Sequence, residues 1–480
     1  MSYLTPANRF VKRMKNIHMI GIGGSGMSGI AEVLHNLGFV VSGSDIQTSD
    51  VVNRLKNMGI EVVIGHQQQN IATANVVVIS SAISDANPEL IAARQQSLII
   101  LSRAEMLAEL MRFKIGIAVA GTHGKTTTTS LIASVLAAGH LDPTFVIGGL
   151  LNSAGTNAGL GTSEYLVAEA DESDGSFQLL QPILAVVTNI DADHMQTFGG
   201  KFSVLKQAFD TFLHHLPFYG VAILCIDDED VAELATRLLR PTITYGISAN
   251  AMIRAVNIRH HQQDMSFDVI QNNKIIATKV TINLPGLHNI QNALAAIAIA
   301  LELGINIADI KTGLEQFAGI ERRFNLTKNL QCVNGRFTLV DDYAHHPTEL
   351  TAVINACRGG WDNRLVVVFQ PHRYSRTRDL FDEFTEALNH ADVLVLTDVY
   401  AAGEDSISGY SAGDLSRSIR VRGKIDPIYI ANIDNLTTDL NNIIQDGDLV
   451  LFVGAGSIGA VCKLIVNNKG LSNATEVSHD

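Results

Sequence analysis

Short, nearly continuous apolar runs recur along this chain, and each is followed by a glycine- or serine-rich turn and then a helical stretch. Runs of this kind are typical of strands that are buried on both faces, as in parallel sheets covered by helices. The clearest runs are residues 17–23, 76–80, 115–121, 183–189, 365–370, 392–399 and 448–456. The pattern therefore predicts an α/β fold built on parallel sheets.

The length of the chain sets its domain organisation. At roughly 150 residues per domain, a chain of 480 residues predicts about three domains. We expect a Rossmann-like domain at 1–112, a central P-loop ATPase-type α/β domain at 113–325 and a Rossmann-like α/β domain at 326–480. Within residues 242–285 the strands alternate with turns, which predicts a small antiparallel insertion at the edge of the central domain.

Charge and cysteine content limit the partners and the compartment. The chain has 48 acidic and 35 basic residues and a net charge of −13, which argues against non-specific binding to nucleic acid or to an anionic membrane. The cysteines, at 225, 332, 357 and 462, form no CxxC pair and fit reduced cytosolic thiols. With no signal-peptide core and no apolar run near the ~20 residues that span a bilayer, we expect a cytoplasmic monomer or homodimer.

A glycine-rich loop at Gly21–Gly26 fits G-x-G-x-x-G between a strand and a helix, and Asp45 ends the next strand. Glycines let the backbone approach a diphosphate, and the helix N-terminus favours its negative charge. The loop alone fits a dinucleotide such as NAD or a nucleotide sugar. A second copy, at 454–459, leaves little room for a dinucleotide unit, so we expect it to be a packing turn between a strand and a helix.

A second phosphate-type loop, residues 121–127, lies between a strand and a helix. It is shorter than the usual P-loop, because Val119 stands where the first glycine would be required. Its backbone N–H groups would hold phosphate oxygens, Lys125 would reach the β and γ oxygens, and the Thr126 hydroxyl would bind Mg²⁺. This loop predicts ATP binding.

Polar clusters follow other strands of the chain. Acidic residues at 169–174, and the segment 191–194 with its histidine, come after strands of the central region, so we expect Mg²⁺ ligands among them. Asn289 and Asn292 share one helix face, where their amides would read an adenine edge or cap the helix. Further along, residues 341–347 lie between a strand and a helix. The Arg- and His-rich segment 370–378 predicts an anion site, since arginine binds carboxylates and phosphates in bidentate geometry.

In this order, the motifs resemble those of the Mur ligase family, cytoplasmic ATP-dependent amide-forming enzymes of peptidoglycan synthesis. The resemblance rests on GIGGSGMSG, GTHGKTTT, EADESD, NIDADH, PGLHNIQNALAA, ERRFN, DDYAHHPTE, QPHRYSRTRDL and DVYAAGE. It implies that ATP, with Mg²⁺ or alternatively Mn²⁺, drives ligation of L-alanine to the lactyl carboxylate of UDP-N-acetylmuramate through an acyl phosphate. Several members carry a carbamylated lysine beyond the histidine of NIDADH; Ala208 stands there, so no carbamate is predicted.

The resemblance also implies a role for individual residues. The UDP-sugar would contact Gly23, Gly24, Ser25, Gly26, Met27, Ser44, Asp45, Ser80, Ser81, Ala82 and Ile83. ATP would contact Gly121, Thr122, His123, Gly124, Lys125, Thr126, Thr127, Asn289, Asn292, Arg323 and Asp342. The metal would be bound by Thr126, Glu169 and His194, with Glu172 as an alternative to Glu169. The amino acid would contact Tyr343, His345, His372, Arg373 and Arg376, and the catalytic residues would be Lys125, His194 and His345.

Other functions fit parts of the sequence. A recycling ligase that joins a murein tripeptide to UDP-N-acetylmuramate would share the fold and the phosphate chemistry. A folylpolyglutamate-type synthetase would not need the N-terminal loop. An NAD(P)-dependent oxidoreductase would use the two G-x-G-x-x-G loops but leaves GTHGKT and the Arg- and His-rich segment unexplained. A non-catalytic P-loop switch would bind nucleotide without ligation.

Overall fold

The structure is a computed structural model that describes residues 14–80, 82–152 and 156–471. Its contacts divide the chain into two compact units. The first holds the described residues up to Asn257 together with Phe267–Thr281 and Ile290–Ala318, and the second holds Ile258–Ser266, Ile282–Asn289 and the described chain from Gly319. Three sheets form, one in each predicted region, which confirms the three-domain α/β fold. The boundaries after residues 112 and 325 remain predictions.

The N-terminal sheet consists of parallel strands in the order β3-β2-β1-β4-β5. Strands β1 to β5 are Asn16–Ile20, Val40–Asp45, Glu61–Ile64, Val76–Ile79 and Ile99–Ser102. Helices α1 to α4 are Ser25–Asn36, Asp50–Asn57, Pro88–Gln95 and Arg103–Met111. The strand order reverses between β1 and β4, and open α/β sheets bind ligands beside the carboxyl ends of strands at such a point.

The central sheet has the order β15-β14-β13-β12-β11-β10-β6-β9-β7-β8. Its strands, β6 to β15, are Ile115–Ala120, Thr144–Leu151, Thr156–Gly159, Tyr165–Glu169, Leu184–Val187, Val221–Cys225, Thr242–Gly246, Ile253–His261, Asp264–Gln271 and Lys274–Ile282. Its helices, α5 to α9, are Lys125–Ala138, Phe202–His214, Glu229–Arg237, Leu287–Glu302 and Ile307–Glu315. Since β6 lies between β9 and β10, the loops that follow these three strands share one edge of the sheet.

The predicted antiparallel insertion is shorter than the segment that suggested it. Strand β12 pairs in parallel with β11 and so extends the parallel part of the sheet. Strands β13, β14 and β15 are joined by turns at residues 262–263 and 272–273. Gln262, Asn272 and Asn273 have positive φ in these turns, as tight hairpins between antiparallel strands require.

Helix α1 fastens the N-terminal sheet to the hairpin β7–β8 within the first unit. A Cβ on Gly29 would lie 3.0 Å from the Cβ of Ala158, so the absence of a side chain lets the helix approach the hairpin. Beside this contact, the Asn157 amide donates to the Ser28 hydroxyl at 3.2 Å and accepts from the Arg54 guanidinium at 2.9 Å. These contacts fix the carboxyl edge of the first sheet relative to that of the second.

The C-terminal sheet has the order β16-β17-β21-β18-β19-β20, in which only β16 is antiparallel to its neighbour among the described strands. Strands β16 to β21 are Asn325–Cys332, Gly335–Asp342, Leu365–Phe369, Val393–Thr397, Ile428–Ile430 and Leu449–Val453. Helices α10 to α15 are Pro347–Gly360, Tyr374–Asp379, Phe381–Leu388, Ala412–Val421, Leu436–Ile443 and Ile458–Asn467. Short 3₁₀ turns at Gln68–Ile71, Ser176–Leu179 and Ile433–Asn435 complete the list of helical segments described.

Two sequence expectations concern the whole chain. The cysteines are buried, and none of them forms a disulfide. Within the described residues, the structure contains no helix with the length and apolar character needed to cross a membrane.

Candidate functional site

The glycine loop after β1 lies at the reversal point of the N-terminal sheet, held by the end of β2. The N–H groups of Gly21 and Ile22 donate to the Ser44 carbonyl at 2.8 and 3.1 Å. The Gly23 N–H donates to the Asp45 carboxylate at 2.8 Å, where a Cβ on Gly23 would clash at 2.9 Å. Asp45 therefore holds the backbone of the glycine loop in place.

The side chain of Ser44 does not point into this loop. It is fully buried and donates to the Glu89 carboxylate at 2.6 Å. Glu89 lies in the first turn of α3 and also accepts from Asn70 at 2.5 Å and from the Gln67 N–H at 3.2 Å. The buried side chain of Ser44 therefore links β2 to Glu89 of α3. The predicted contact of Ser44 with the UDP-sugar stays a prediction.

The Glu89 carboxylate is stabilised in its charged form. Burial alone would raise the pKa of Glu89, but the nearby His18 and hydrogen bonds from Ser44 and Asn70 lower it to about 2. The side chain of His18 is 1% exposed, with Nε2 3.5 Å from Glu89, and Nδ1 of His66 lies at the same distance from Glu89. The folded domain therefore stabilises the negative charge of the buried Glu89 carboxylate.

Because the pKa of Glu89 is lower in the folded chain, its stabilising effect is complete above its ordinary pKa of 4.5. We expect this contribution, about 3 kcal/mol in the free energy of unfolding, to be lost as the pH falls from about 4.5 toward 2. Urea unfolding of the parent and of Glu89→Gln at successive pH values measures it. The stability difference between the two should shrink as the pH falls; a difference independent of pH would contradict the assignment.

The segment after β4 closes the other side of the glycine loop. A Cβ on Gly21 would lie 3.1 Å from the Cβ of Ser80, and the Ser80 carbonyl accepts from the Ile83 N–H at 3.1 Å. Ala82 is exposed beside it. Ser81 lies outside the described residues. The structure therefore brings Ser80 and Ile83 against the loop from which the UDP-sugar site was predicted.

The phosphate-type loop after β6 is tied to the loop after β10. The Thr122 hydroxyl accepts from the Asp191 N–H at 2.9 Å, and the His123 N–H donates to the Asn189 side chain at 2.8 Å. Gly121 and Gly124 have φ values of +134° and +81°, which side chains rarely adopt. The loop is therefore preformed, and helix α5 begins at Lys125 directly after it.

Lys125 is held by a buried carboxylate. Its Nζ donates to Glu172 at 2.7 Å and to the carbonyls of Gly121 and Thr122 at 2.7 and 3.1 Å. Burial alone would lower the pKa of Lys125, but Glu172 and Asp171 raise it, so its ammonium is charged. Glu172, predicted as an alternative metal ligand, is 1% exposed and pairs with this lysine. The pair places a fixed positive charge at the base of the loop.

Thr126 and Glu169 meet beside this pair. The Glu169 carboxylate accepts from the Gly148 N–H at 2.8 Å. Burial raises the pKa of Glu169, and the nearby Thr126 hydroxyl acts to lower it. A hydroxyl and a carboxylate are hard oxygen donors of the kind that Mg²⁺ prefers, so these residues fit the predicted ion. His194 follows β10, with φ of +53° and Nε2 3.5 Å from Asp193.

A cleft of about 240 Å³ lies between the glycine loop and the acidic segment after β9. Both edges belong to the first unit. The N-terminal side contributes Gly24, Gly26, Met27, Ser80, Arg103 and Leu107, and the central domain contributes Val146, Ile147, Gly148, Glu169, Asp171, Ser173 and Asp174. Residues predicted for two different ligands, the UDP-sugar and the metal, therefore face one cavity.

The remaining residues predicted to bind ATP are divided between the units. In the first, the buried Asn292 accepts from the Thr128 hydroxyl at 3.0 Å, and its Oδ1 lies 2.6 Å from where a Cβ on Gly124 would be. In the second, the Asn289 amide donates to the Pro285 carbonyl at 2.8 Å. Asp342 accepts from the N–H groups of Phe324 and Ala344, both at 2.8 Å, and burial raises its pKa to about 6. Arg323 lies over the ring of Tyr343 at 5.3 Å.

The residues predicted to bind the amino acid form one cluster at the carboxyl edge of the C-terminal sheet. The His345 ring makes edge contacts with the rings of Tyr343 and His372, at centroid distances of 5.3 and 5.8 Å. Arg376 lies 3.3 Å from His372 Nδ1, and Arg373, with φ of +68°, donates its N–H to the Tyr400 carbonyl at 2.8 Å. The structure thus brings together residues that helix α10 and strand β18 separate in the sequence.

Charge keeps one member of this cluster neutral. Burial, together with the nearby His345, Arg376 and Arg373, lowers the pKa of His372 to about 4. The ring stacks on Tyr400 at 5.6 Å. A neutral imidazole beside two guanidinium groups offers hydrogen bonds without adding a third charge, which suits a site for a zwitterion.

Sequence reasoning missed residues whose partners are distant along the chain. Arg103 lines the cleft, and the Glu404 carboxylate accepts from the Ser375 hydroxyl at 2.7 Å and its N–H at 2.9 Å. Arg103 follows β5, so its place at a strand end was the available signal. Glu404 lies in DVYAAGE, which the resemblance quoted without assigning it a role.

The second glycine motif is a packing turn, as expected. A Cβ on Gly456 would lie 2.5 Å from Gln370 Oε1 and 2.6 Å from Tyr400, which leaves no room for a ligand phosphate. The same Gln370 oxygen accepts from the Ile458 N–H at the start of α15. The glycines let this turn approach the segment after β18.

Comparisons with known proteins cover most of the chain. Family models match residues 16–115 (Mur ligase family, catalytic domain), 119–300 (Mur ligase middle domain) and 322–456 (Mur ligase, glutamate ligase domain). The structure of a UDP-N-acetylmuramate-alanine ligase from Thermotoga maritima is 28% identical, with a TM-score of 0.79, and the match covers 94% of this chain and 98% of that one.

Two further solved structures are similar. A UDP-N-acetylmuramate:L-alanyl-gamma-D-glutamyl-meso-diaminopimelate ligase from Neisseria meningitides is 30% identical, with a TM-score of 0.59, over 64% of this chain and all of that one. A murein peptide ligase from Psychrobacter arcticus shares the fold at 22% identity, with a TM-score of 0.68, over 97% of this chain and 100% of that one.

Proposed function

Because the chain belongs to the Mur ligase family, we propose that it joins L-alanine to the lactyl carboxylate of UDP-N-acetylmuramate with hydrolysis of ATP to ADP and phosphate. Members of the family are ATP-dependent acid–amino-acid ligases of peptidoglycan synthesis, and the chain is an enzyme of this class. The choice of sugar nucleotide and of L-alanine is the part proposed here.

The observation that carries the proposal is the shared cleft of the first unit. A ligase must place the carboxylate to be activated beside the γ-phosphate of ATP. The cleft has a volume of about 240 Å³, and Gly24 and Gly26 of the glycine loop line it together with Glu169 and Asp171. A diphosphate held by the first loop would direct the rest of its sugar toward Glu169, the predicted metal ligand, which supports a nucleotide sugar over a dinucleotide.

Two similarities support different amino-acid substrates. The Thermotoga maritima alanine ligase matches nearly the whole chain, and this favours L-alanine. The ligase from Neisseria meningitides, named for a tripeptide, is 30% identical over a shorter part of the chain. Transfer of the tripeptide to UDP-N-acetylmuramate is therefore the second candidate. The family matches include the N-terminal domain and give no support to an NAD(P)-dependent oxidoreductase.

The first step would be phosphorylation of the lactyl carboxylate. The carboxylate oxygen attacks the γ-phosphorus, ADP leaves, and an acyl phosphate forms. Lys125 and the N–H groups of the loop 121–127 would stabilise the charge on the phosphoryl group. Thr126 and Glu169 would hold Mg²⁺, which neutralises phosphate charge when bound. The buried Glu172 keeps the lysine in position until ATP arrives.

The second step would be attack by the amine of L-alanine on the acyl phosphate, with release of phosphate. The amine must lose a proton to a base. His345 Nδ1 lies 3.0 Å from the Tyr343 carbonyl, and because a carbonyl only accepts, this nitrogen carries the hydrogen. In the neutral ring Nε2 then holds a lone pair, so we propose His345 as the base in preference to His194.

The test is phosphate release from ATP and Mg²⁺ with UDP-N-acetylmuramate, comparing L-alanine, the tripeptide L-Ala-γ-D-Glu-diaminopimelate and no amino acid. The proposal expects release that requires both the sugar and L-alanine, and a product heavier by one alanyl residue. Release only with the tripeptide would replace the proposal by the second candidate. Release with neither would refute both.

Arg376 is expected to bind the carboxylate of the amino acid. Its guanidinium lies 3.3 Å from His372 in the cluster of the C-terminal sheet. Arg376→Ala should raise the KM for the amino acid about tenfold, the value of one charge-assisted hydrogen bond. Steady-state kinetics with each substrate varied in turn measures this effect.

Arg378→Ala is the matched control, because Arg378 lies on the same helix α11 but pairs with Asp379 on the surface. Its KM values should equal those of the parent. A selective rise in the KM for ATP in Arg376→Ala would move this arginine to the nucleotide site.

A further inference from the structure

Arg103 begins helix α4, directly after strand β5. Its neighbour Ser102 caps the helix in a capping box with Glu105, so the helix start is satisfied without the arginine. A cation in the first turn opposes the helix dipole, which favours negative charge there. Local structure therefore gives no reason for an arginine at this position.

The guanidinium of Arg103 lies against the glycine loop. A Cβ on Gly26 would be 3.0 Å from Arg103 Cδ and 3.1 Å from Nη1. The absence of a side chain at 26 thus leaves room for the arginine over the loop backbone. The side chain of Arg103 is 19% exposed and lines the cleft.

Across the cleft Arg103 faces carboxylates. Its Nη2 lies 3.5 Å from Asp171 and 3.9 Å from Asp174. Both distances exceed the 2.7–2.9 Å that is usual for hydrogen-bonded ion pairs of this type. Among the described residues that line the cleft, Arg103 is the only basic one, whereas Glu169, Asp171 and Asp174 are acidic.

We propose that Arg103 binds an oxyanion of the nucleotide sugar, leaving Asp171 and Asp174 when the substrate enters. The inference rests on the proposed function and adds a residue to it. A cleft lined by three carboxylates repels an anionic substrate unless a cation meets it. A guanidinium fits a phosphate or a carboxylate with two parallel hydrogen bonds, which its contacts with Asp171 and Asp174 at 3.5 and 3.9 Å do not provide.

The test is calorimetric titration of the full chain with two nucleotide sugars. UDP-N-acetylmuramate carries both the diphosphate and the lactyl carboxylate, and UDP-N-acetylglucosamine carries only the diphosphate. We expect Arg103→Ala to raise the Kd for UDP-N-acetylmuramate about 10-fold or more. An equal rise for both sugars assigns the diphosphate as the oxyanion, and a rise for UDP-N-acetylmuramate alone assigns the lactyl carboxylate.

Variants separate binding from structure. Arg103→Lys keeps the charge but loses the planar fork, so its Kd should lie between those of the parent and Arg103→Ala. Arg112→Ala is the matched control, since Arg112 caps the far end of the same helix and pairs with Glu109 on the surface. Its Kd should be unchanged. Thermal unfolding of each variant tests whether the fold is kept.

A double-mutant cycle tests the exchange of partners. Asp174→Asn removes a competing charge. The Asp174 carboxylate accepts from the Ser176 N–H at 2.9 Å, and the amide oxygen of an asparagine can accept the same hydrogen bond. We expect this change to tighten binding about threefold in the parent and to have a clearly smaller effect in the Arg103→Ala background, where only the repulsion of the anion by Asp174 is relieved. Equal effects in both backgrounds would show that Asp174 acts on the substrate only through its negative charge. They would contradict the proposal that Arg103 leaves Asp174 to bind the substrate.

The outcomes distinguish two failures. If the parent binds UDP-N-acetylmuramate and Arg103→Ala binds both sugars with the parent's Kd, the arginine is a structural ion pair and this inference is wrong. If the parent binds neither sugar, the proposed function fails, and this inference fails with it.

Discussion

Replacement of Lys125 by alanine is expected to lower kcat by about 10²–10³-fold, the usual effect of removing one electrostatic donor from a phosphoryl-transfer site. The ammonium is charged, buried and held at the start of helix α5, where it would meet the transferred phosphoryl group. Phosphate release at saturating substrates measures the change. Lys125 does not line the described cleft, so the Kd for the UDP-sugar should stay within about twofold of the parent.

The partner of Lys125 decides whether this variant folds. Burial raises the pKa of Glu172 to about 7 even with the lysine beside it. Without the lysine the carboxyl would take up a proton near neutral pH, which limits the cost of leaving a charge buried. The double variant Lys125→Ala, Glu172→Gln removes that charge altogether and should match the single variant in kcat.

Lys206→Ala serves as the control for loss of a paired lysine. Lys206 forms ion pairs with Asp230 and Glu233 on the surface of the same unit. Its removal should leave kcat unchanged. Equal losses of UDP-sugar affinity and of turnover in Lys125→Ala would contradict the assignment of separate sites to the two loops.

Gly124→Ala is expected to weaken ATP binding roughly 100-fold, because it combines an overpacked contact with backbone strain. The residue has φ of +81°, and a Cβ would lie 2.6 Å from the Asn292 side chain. Asn292 is itself buried and hydrogen-bonded to Thr128, so it has little room to move. The loop must shift instead, and its N–H groups then no longer converge on the phosphates. Titration with a non-hydrolysable ATP analogue measures the loss.

Gly304→Ala separates the two causes. Gly304 lies in the same unit with φ of +75°, but a Cβ there would meet nothing within 4 Å. The strain is therefore similar and the clash is absent. ATP affinity in this variant should equal that of the parent, with a small loss of stability. Parent-like ATP affinity in Gly124→Ala would show that the loop does not hold the phosphates.

The fold was largely predictable because its signals are local. A strand buried on both faces needs a continuous apolar run, as at β10 and β21, and a strand-to-loop-to-helix unit needs glycine at the turn. The same logic misjudged the segment after residue 242. Its alternation suggested an antiparallel strand, but β12 pairs in parallel with β11. The direction of pairing depends on the neighbouring strand in the sheet, and the residues of β12 alone do not specify it.

The site was predictable only in part. Each loop could be placed at the end of a strand, but the direction of a side chain there depends on packing. The side chain of Ser44 lies buried against Glu89, and the sequence did not predict this partner. Glu172 pairs with Lys125, a partner that was not predicted either. Both partners lie more than forty residues away in sequence, and no local pattern specifies them. The roles of Ser44 in the UDP-sugar site and of Glu172 as a metal ligand stay predictions.

Glycine spacing and apolar runs act over a few residues, so they were enough to predict the phosphate-type loops and the strands that place them at a sheet edge. Which loops share a cleft, and which charges meet in it, depends on packing between distant segments and became visible only in the folded chain. Arg103 and Asp171 come together in the same unit in which α1 packs against the hairpin β7–β8 through Gly29. That contact joins two sheets whose residues are distant in the chain, and burial then fixes the pairing of their charges.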